Sequence, residues 1–346
     1  MATTGDMCDV TYEQLAAMEQ EFSEVETELI RQQVTLCAPL YERRAALVGQ
    51  IPNFWPLVFE QAPIEIDTHL NPVDSRLLLS ALRNFSVHHF EPEIDPRSVR
   101  FRFEFDSNEY FSDQVLEKTF WWRTRRDASW TGLVSDVIAI HWKDPEKDLT
   151  RGFLDLACAA GFSVAPGSAP PPTGRTPEQT ALQAAIDDRG IGGLSFFAWF
   201  GYQGPRISDT ETAEAMESVK ACRQTGKKTE PDETGDDSGV KADRAALEQL
   251  EIFPNGDELA VALAEDLWPG AVKYFLQAQE EDDVSDADFV SDNPSDDEVP
   301  ELCEDVRRVE TEEGQDNIQN VNIENSGEAE VEDLEDQRPT KKRRAK

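Results

Sequence analysis

The stretch Val99-Arg-Phe-Arg-Phe-Glu-Phe105 decides the class of fold. Its apolar residues alternate strictly with Arg100, Arg102 and Glu104, a period of two that belongs to a strand with one face buried and one wet. Asp106-Ser-Asn108 reads as the turn that follows. Further strands are expected at Gln114–Trp122 and Asp136–Trp142, and connections this short favour antiparallel pairing. One sheet cannot cover its own apolar face, so helices must pack on it, which gives an α+β domain.

Upstream the period changes to that of a helix. Tyr12, Leu15, Met18, Phe22, Val25, Leu29, Leu36 and Leu40 fall close to the three-and-four spacing of one helical face, with glutamates between them and no glycine interrupting the run until Gly49. About 40 helical residues would reach roughly 60 Å, longer than a small domain is wide. Such a stripe finds cover on a second copy of the chain, which makes Leu15, Phe22, Val25, Leu29, Leu36 and Leu40 candidate dimerisation residues. Two shorter core helices in a monomer are the alternative, and Pro39 predicts a kink. Ile51-Pro-Asn-Phe-Trp-Pro56 closes the helix. Asn71-Pro-Val-Asp74 reads as a turn and N-cap for a helix over Ser75–Phe85.

Downstream, Gly161–Thr176 is rich in proline, glycine and serine and has no periodicity. Order returns with Leu194-Ser-Phe-Phe-Ala-Trp-Phe200. Lys220–Lys241 is polar and reads as a mobile loop. Asp257 is the expected N-cap of a helix over Glu258–Trp268 with Leu259, Leu263 and Leu267 buried, ended by Pro269. A last short helix begins at Ala271–Leu276.

The chain of 346 residues carries a formal charge of −37, and 24 acidic residues against Arg307 and Arg308 fall between Glu280 and Asp336. That excludes binding by phosphate neutralisation and suits a basic partner. The segment is too polar to build a core and is expected to be disordered. Ser285 and Ser295, followed by acids, fit acidophilic-kinase sites. Arg338–Lys346 then reverses the sign, and Lys341, Lys342, Arg343 and Arg344 form a candidate nuclear-import signal. Five widely spaced cysteines without a CxxC pair support neither a disulfide framework nor a zinc site and point to a reducing compartment. No membrane-length apolar run or signal peptide is apparent, so a soluble intracellular protein is expected. No GxSxG, HExxH or phosphate-cradling glycine loop occurs, the adjacent His88 and His89 would point about 100° apart in a helix and cannot easily share a metal, and His69 and His141 lack partners at a recognised spacing, so no enzyme and no cofactor is expected.

Several segments, in order, resemble the nucleosome assembly protein (NAP) family, and its SET-like branch in particular. They are IPNFW (Ile51–Trp55), VRFRFEFDSNEYFSD (Val99–Asp113), IHWKDPEKDLT (Ile140–Thr150), SFFAWF (Ser195–Phe200) and DELAVALAEDLWPGAVKYFL (Asp257–Leu276). The resemblance implies a dimerisation helix over residues 8–51 and an "earmuff" α+β domain over 52–278. It leaves an insertion at 155–192, a mobile loop at 220–243 and an acidic tail at 279–346. It further implies a homodimeric histone chaperone in the nucleus, shuttling with the cytoplasm, that promotes nucleosome assembly and disassembly. Core histones would meet the acidic underside of the domain, for which the matching positions are Asp148, Thr150, Asp209, Glu211, Glu258, Glu265 and Asp266. Each of these could equally be a solvated surface charge. A nuclear import receptor and a histone-modifying enzyme are the further partners this reading admits; a membrane and sequence-specific DNA are not. The alternative is an acidic nuclear adaptor or phosphatase inhibitor of the SET type, without histone deposition.

Overall fold

The computed structural model describes residues 12–161, 163–168, 175–225 and 249–287. Helix α1 spans Tyr12–Val48 and runs through Pro39 without a break. Short helices α2 (Phe54–Glu60) and α3 (Ile64–Asp67) follow. Helix α4 (Pro72–Ala81) opens with the expected cap: Asn71 Oδ1 accepts the amides of Val73 and Asp74, and Asp74 Oδ2 accepts the Asn71 amide.

The sheet is a four-stranded antiparallel meander of β1 (Leu82–His88), β2 (Val99–Phe105), β3 (Val115–Thr124) and β4 (Thr131–Ser135). Phe85 pairs with Phe103, Val87 with Phe101 and Val99 with Phe120, so the apolar side of each strand lies in one plane. The fold is the α+β arrangement expected, with two strands placed differently.

The helix expected to reach Phe85 ends at Ala81, because Leu82–His88 pairs along β2 as an edge strand. The strand expected at Asp136–Trp142 lies earlier, at Thr131–Ser135. From its last residue on, the chain bonds another partner: Ser135 N donates to Gln203 O and Ile138 N to Phe200 O, 2.9 Å each.

Two helices occupy the region read as an insertion, α5 (Phe153–Ala160) and α6 (Pro177–Arg189). They are built in rather than appended. Phe153, Leu154 and Leu182 are buried, Thr176 and Gln179 form a capping box, and Gln179 Nε2 donates to Ala160 O. In the loop between them, Val164 is buried against Trp121 and Val134 on the outer side of the sheet. Helix α7 (Asp209–Thr225) takes in the start of the stretch read as a mobile loop, whose remainder lies outside the described residues.

Helix α8 (Gly256–Ala262) begins after Asn255, which has a left-handed backbone, and not at Asp257. Pro269 does not end the helical run. Leu263–Leu267 form a π turn in which the Trp268 amide reaches back five residues to Leu263 O. Helix α9 then continues from Trp268 to Ala287. A proline has no N–H to place in the ladder and crowds the turn before it, and a widened turn there relieves both problems.

The core is aromatic. Phe103 stands at its centre, with ring centroids of Phe85 at 4.8 Å and of Phe196 and Phe200 at 5.9 Å. Trp55 stacks flat on Trp268, 5.4 Å apart with planes 5° from parallel. Burial of such rings is the main source of stability.

Candidate functional site

Two surfaces follow from this fold. The first is α1. Leu15, Met18, Phe22, Val25, Leu29, Leu36 and Leu40 are 54–72 % exposed in the single chain, and Leu47 is similarly bare. A helix of 37 residues extends roughly 55 Å, and its own domain covers little of that. Its tie to the domain lies near its C-terminal end. Arg44 Nη1 donates to Trp268 O at 2.6 Å, and the guanidinium sits 4.2 Å from the Trp268 ring and 4.8 Å from that of Tyr41. A second tie is Arg31 Nε to Pro92 O, 2.8 Å.

The second surface carries the acidic positions. Glu258, Glu265 and Asp266 are exposed on α8 and the π turn. Asp266 Oδ1 accepts the Tyr274 hydroxyl at 2.8 Å, and burial, with Asp266 beside it, pushes that phenol up to about 12. Asp209 and Glu211, half-buried in the first turn of α7, are engaged with neighbours. Asp209 accepts the Gly167 amide at 3.0 Å and Glu211 the Arg126 amide at 3.3 Å.

The last expected pair does a different job. Thr150 is fully buried. Asp148 Oδ1 accepts both its amide and its hydroxyl, and Oδ2 accepts the Gly152 amide. This is an Asx-type staple that sets the turn into α5, so Thr150 offers no surface to a partner. The seven positions therefore stand on four elements, the turn before α5, α7, α8 and the π turn, and three of them are exposed. The stripe expected to dimerise is exposed along its length in the single chain. Lys341–Arg344 and Ser295 lie outside the described residues; Ser285 falls in the last turn of α9.

What the sequence reading missed are the buried ionisable groups that hold Ser195–Gly204 in place. Asp74 accepts the Ser195 hydroxyl and the Phe196 amide, and burial raises its pKa. Lys118 is fully buried and gives all three protons to main-chain carbonyls, those of Asp136 (2.8 Å), Phe200 (3.1 Å) and Tyr202 (2.9 Å). Burial pushes its ammonium down to about 7, against the pull of Glu251 and Asp136. Glu251 accepts the amides of Gln203 and Gly204, and its pKa is raised by burial. A cation thus takes the carbonyls of this stretch and an anion takes its amides. The one visible signal was a lysine between Leu116 and Phe120, at an inward strand position.

A cavity of about 200 Å³ lies beside Glu251, bounded by Ala157, Leu182, Tyr202 and Asp257. Among the described residues no group of His, Cys, Asp and Glu is placed to hold a metal ion, and no helix is long and apolar enough to cross a membrane.

Comparison with known proteins identifies a family. The family model described as Nucleosome assembly protein (NAP) matches residues 48–278. A Schizosaccharomyces pombe protein described as a nucleosome assembly protein is 37 % identical over 149 residues, 40 % of this chain and 60 % of that protein. Protein SET of Drosophila melanogaster is 33 % identical over 116 residues, 33 % of this chain and 41 % of that protein. The chain thus spans less than two thirds of either relative. The crystal structure of Ccp1 matches with 27 % identity and a TM-score of 0.45, covering 78 % of this chain and 95 % of that one.

Proposed function

This chain belongs to the nucleosome assembly protein family, and from that membership we propose that it is a histone chaperone that works as a homodimer in the nucleus. The observation that carries the reading is the bare stripe of α1 from Leu15 to Leu47 on a domain of this family. Water does not tolerate an apolar band of that length on a rigid helix, and a second α1 covers it.

Charge sets the direction of pairing. Residues 12–30 hold six glutamates and no basic residue, whereas Arg31, Arg43 and Arg44 outweigh Glu42 in the second half. Antiparallel helices bring the acidic half of one copy to the basic half of the other; parallel helices would stack acid on acid.

Core histones are cationic, and the exposed acids Glu258, Glu265 and Asp266 give them a fixed surface. Asp209 and Glu211 add charge at the start of α7, and Asp148 acts by shaping its turn. The acidic segment after α9 supplies further weak contacts at high effective concentration. Histones held in this way are shielded from DNA until they are passed on, and Lys341–Arg344 address the protein to an import receptor.

The test is capture of purified core histones at moderate salt by the full chain and by a chain ended after Ala287, which keeps α9 whole. Both should bind, the shorter one more weakly. Failure of both would remove the chaperone reading, and loss in the shorter chain alone would move the function to the acidic segment. Undiminished nuclear accumulation of a chain lacking Lys341–Lys346 would remove the import assignment.

A further inference from the structure

Ile94 is 74 % exposed, more than any residue of the α1 stripe, yet it is not carried by a loose loop. The β1–β2 connection is tied at almost every residue. The amides of Ile94 and Asp95 both donate to Glu91 O, at 3.0 and 2.9 Å. The Asp95 carboxylate accepts Arg97 N, Nε and Nη2 at 3.0, 2.8 and 2.6 Å. The Arg97 guanidinium lies 4.2 Å from the Trp122 ring, and His89 Nδ1 meets Pro96 O at 2.7 Å. Pro92 and Pro96 remove further freedom. Asp95 and Pro96 are buried. The loop is a rigid mount, and what it presents to water is an isoleucine.

Its position gives that isoleucine an occupant. The loop touches α1 through Arg31 Nε and Pro92 O, 2.8 Å apart. Arg31 is midway along the sequence between Leu15 and Leu47, the ends of the bare stripe. Antiparallel pairing that covers the whole stripe sets its two-fold axis near that midpoint. Packed helices run about 8–10 Å apart, so a second α1 passes within about 10 Å of a residue this loop already holds.

We propose that the Glu91–Arg97 loop is a second contact between protomers, in which Ile94 seats against the central turns of the other copy's α1. The inference rests on the homodimer reading above and deepens it. Each copy would grip its partner with a helix and with a fixed finger beside the axis. The finger would fix where along the stripe the two helices register, which a uniform apolar band leaves loosely set.

The test is subunit exchange between two differently labelled pools of the full chain, with sedimentation equilibrium alongside. Wild type, Ile94→Ser and Ile94→Val are compared, and a Leu29→Ser variant reports on the stripe itself. Removing one buried isoleucine contact per protomer should speed exchange about ten-fold or more in Ile94→Ser, and Ile94→Val should stay near wild type. Because Ile94 is exposed in the single chain, its unfolding temperature at low protein concentration should not move. Exchange unchanged in Ile94→Ser but faster in Leu29→Ser overturns the finger and keeps the dimer. A wild-type chain that sediments as a monomer overturns both. Weaker histone capture by Ile94→Ser at unaltered exchange would assign the finger to the histone instead, which also overturns the proposal.

Discussion

Arg44 lies over the indole of Trp268 at 4.2 Å while donating to the carbonyl oxygen of the same residue. One side chain of the long helix thus engages both the ring and the backbone at the point where the π turn passes into α9. Arg44→Ala should cost about 1–3 kcal/mol from the lost stacking and the lost hydrogen bond to the Trp268 carbonyl. Arg44→Lys should recover little of it, because an ammonium has no flat face to stack. Denaturant unfolding at fixed protein concentration measures both.

The α1 stripe predicts a separation of assembly from folding. Leu29→Glu combined with Leu36→Glu places charges where a second copy would pack, at positions exposed in the single chain. Light scattering should report a monomer at concentrations where the wild type forms the proposed dimer. The near-ultraviolet circular dichroism of the aromatic core should be unchanged.

Lys118 makes stability depend on pH in a defined window. Its folded pKa of about 7 lies below the ordinary 10.5, so between those values the unfolded chain holds a proton that the folded chain has released. Stability therefore rises with pH across that window and is lowest below it. Relative to Lys118→Met, the wild type should gain on the order of a few kcal/mol between pH 6.5 and about 10. Urea midpoints of the two proteins across that range should diverge. Parallel curves would mean that Lys118 does not titrate there.

Glu258→Lys with Glu265→Lys should weaken capture of core histones several-fold and leave the fold intact, since both side chains are exposed. Thr150→Val should do the opposite. It removes a buried hydroxyl bonded to Asp148, which lowers stability by about 1–2 kcal/mol, and it leaves capture per folded molecule unaltered. Binding and melting measured on the same preparations distinguish the two classes.

These contrasts mark where local sequence carried the structure and where it did not. Helix α1, the Asn71 cap, β2, β3 and the buried face of Leu259, Leu263 and Leu267 were legible because each is written in a local period or a short-range hydrogen bond. Strand β1 was not, because Leu78, Leu82 and Phe85 also satisfy helical spacing, and only pairing with β2 decides between the two. The alternation in Asp136–Trp142 is real, but its backbone divides between distant partners: Ile138 N donates to Phe200 O, while His141 O accepts Ser112 N beside an isolated Phe111–Trp142 bridge. For the site, exposure separated Glu258, Glu265 and Asp266 from Thr150, and burial cannot be read from residue type. A threonine two positions after an aspartate looks the same on a surface turn and in a sealed one.

The widened turn before Pro269 has a geometric result. An α-helix advances about 100° per residue, so the extra residue held in Leu263–Leu267 acts as a phase shifter between α8 and α9. Leu259, Leu263 and Leu267 all stay buried across it, while Trp268 meets Tyr41 and Arg44 of α1. The proline that a linear reading takes for a full stop serves as a change of key.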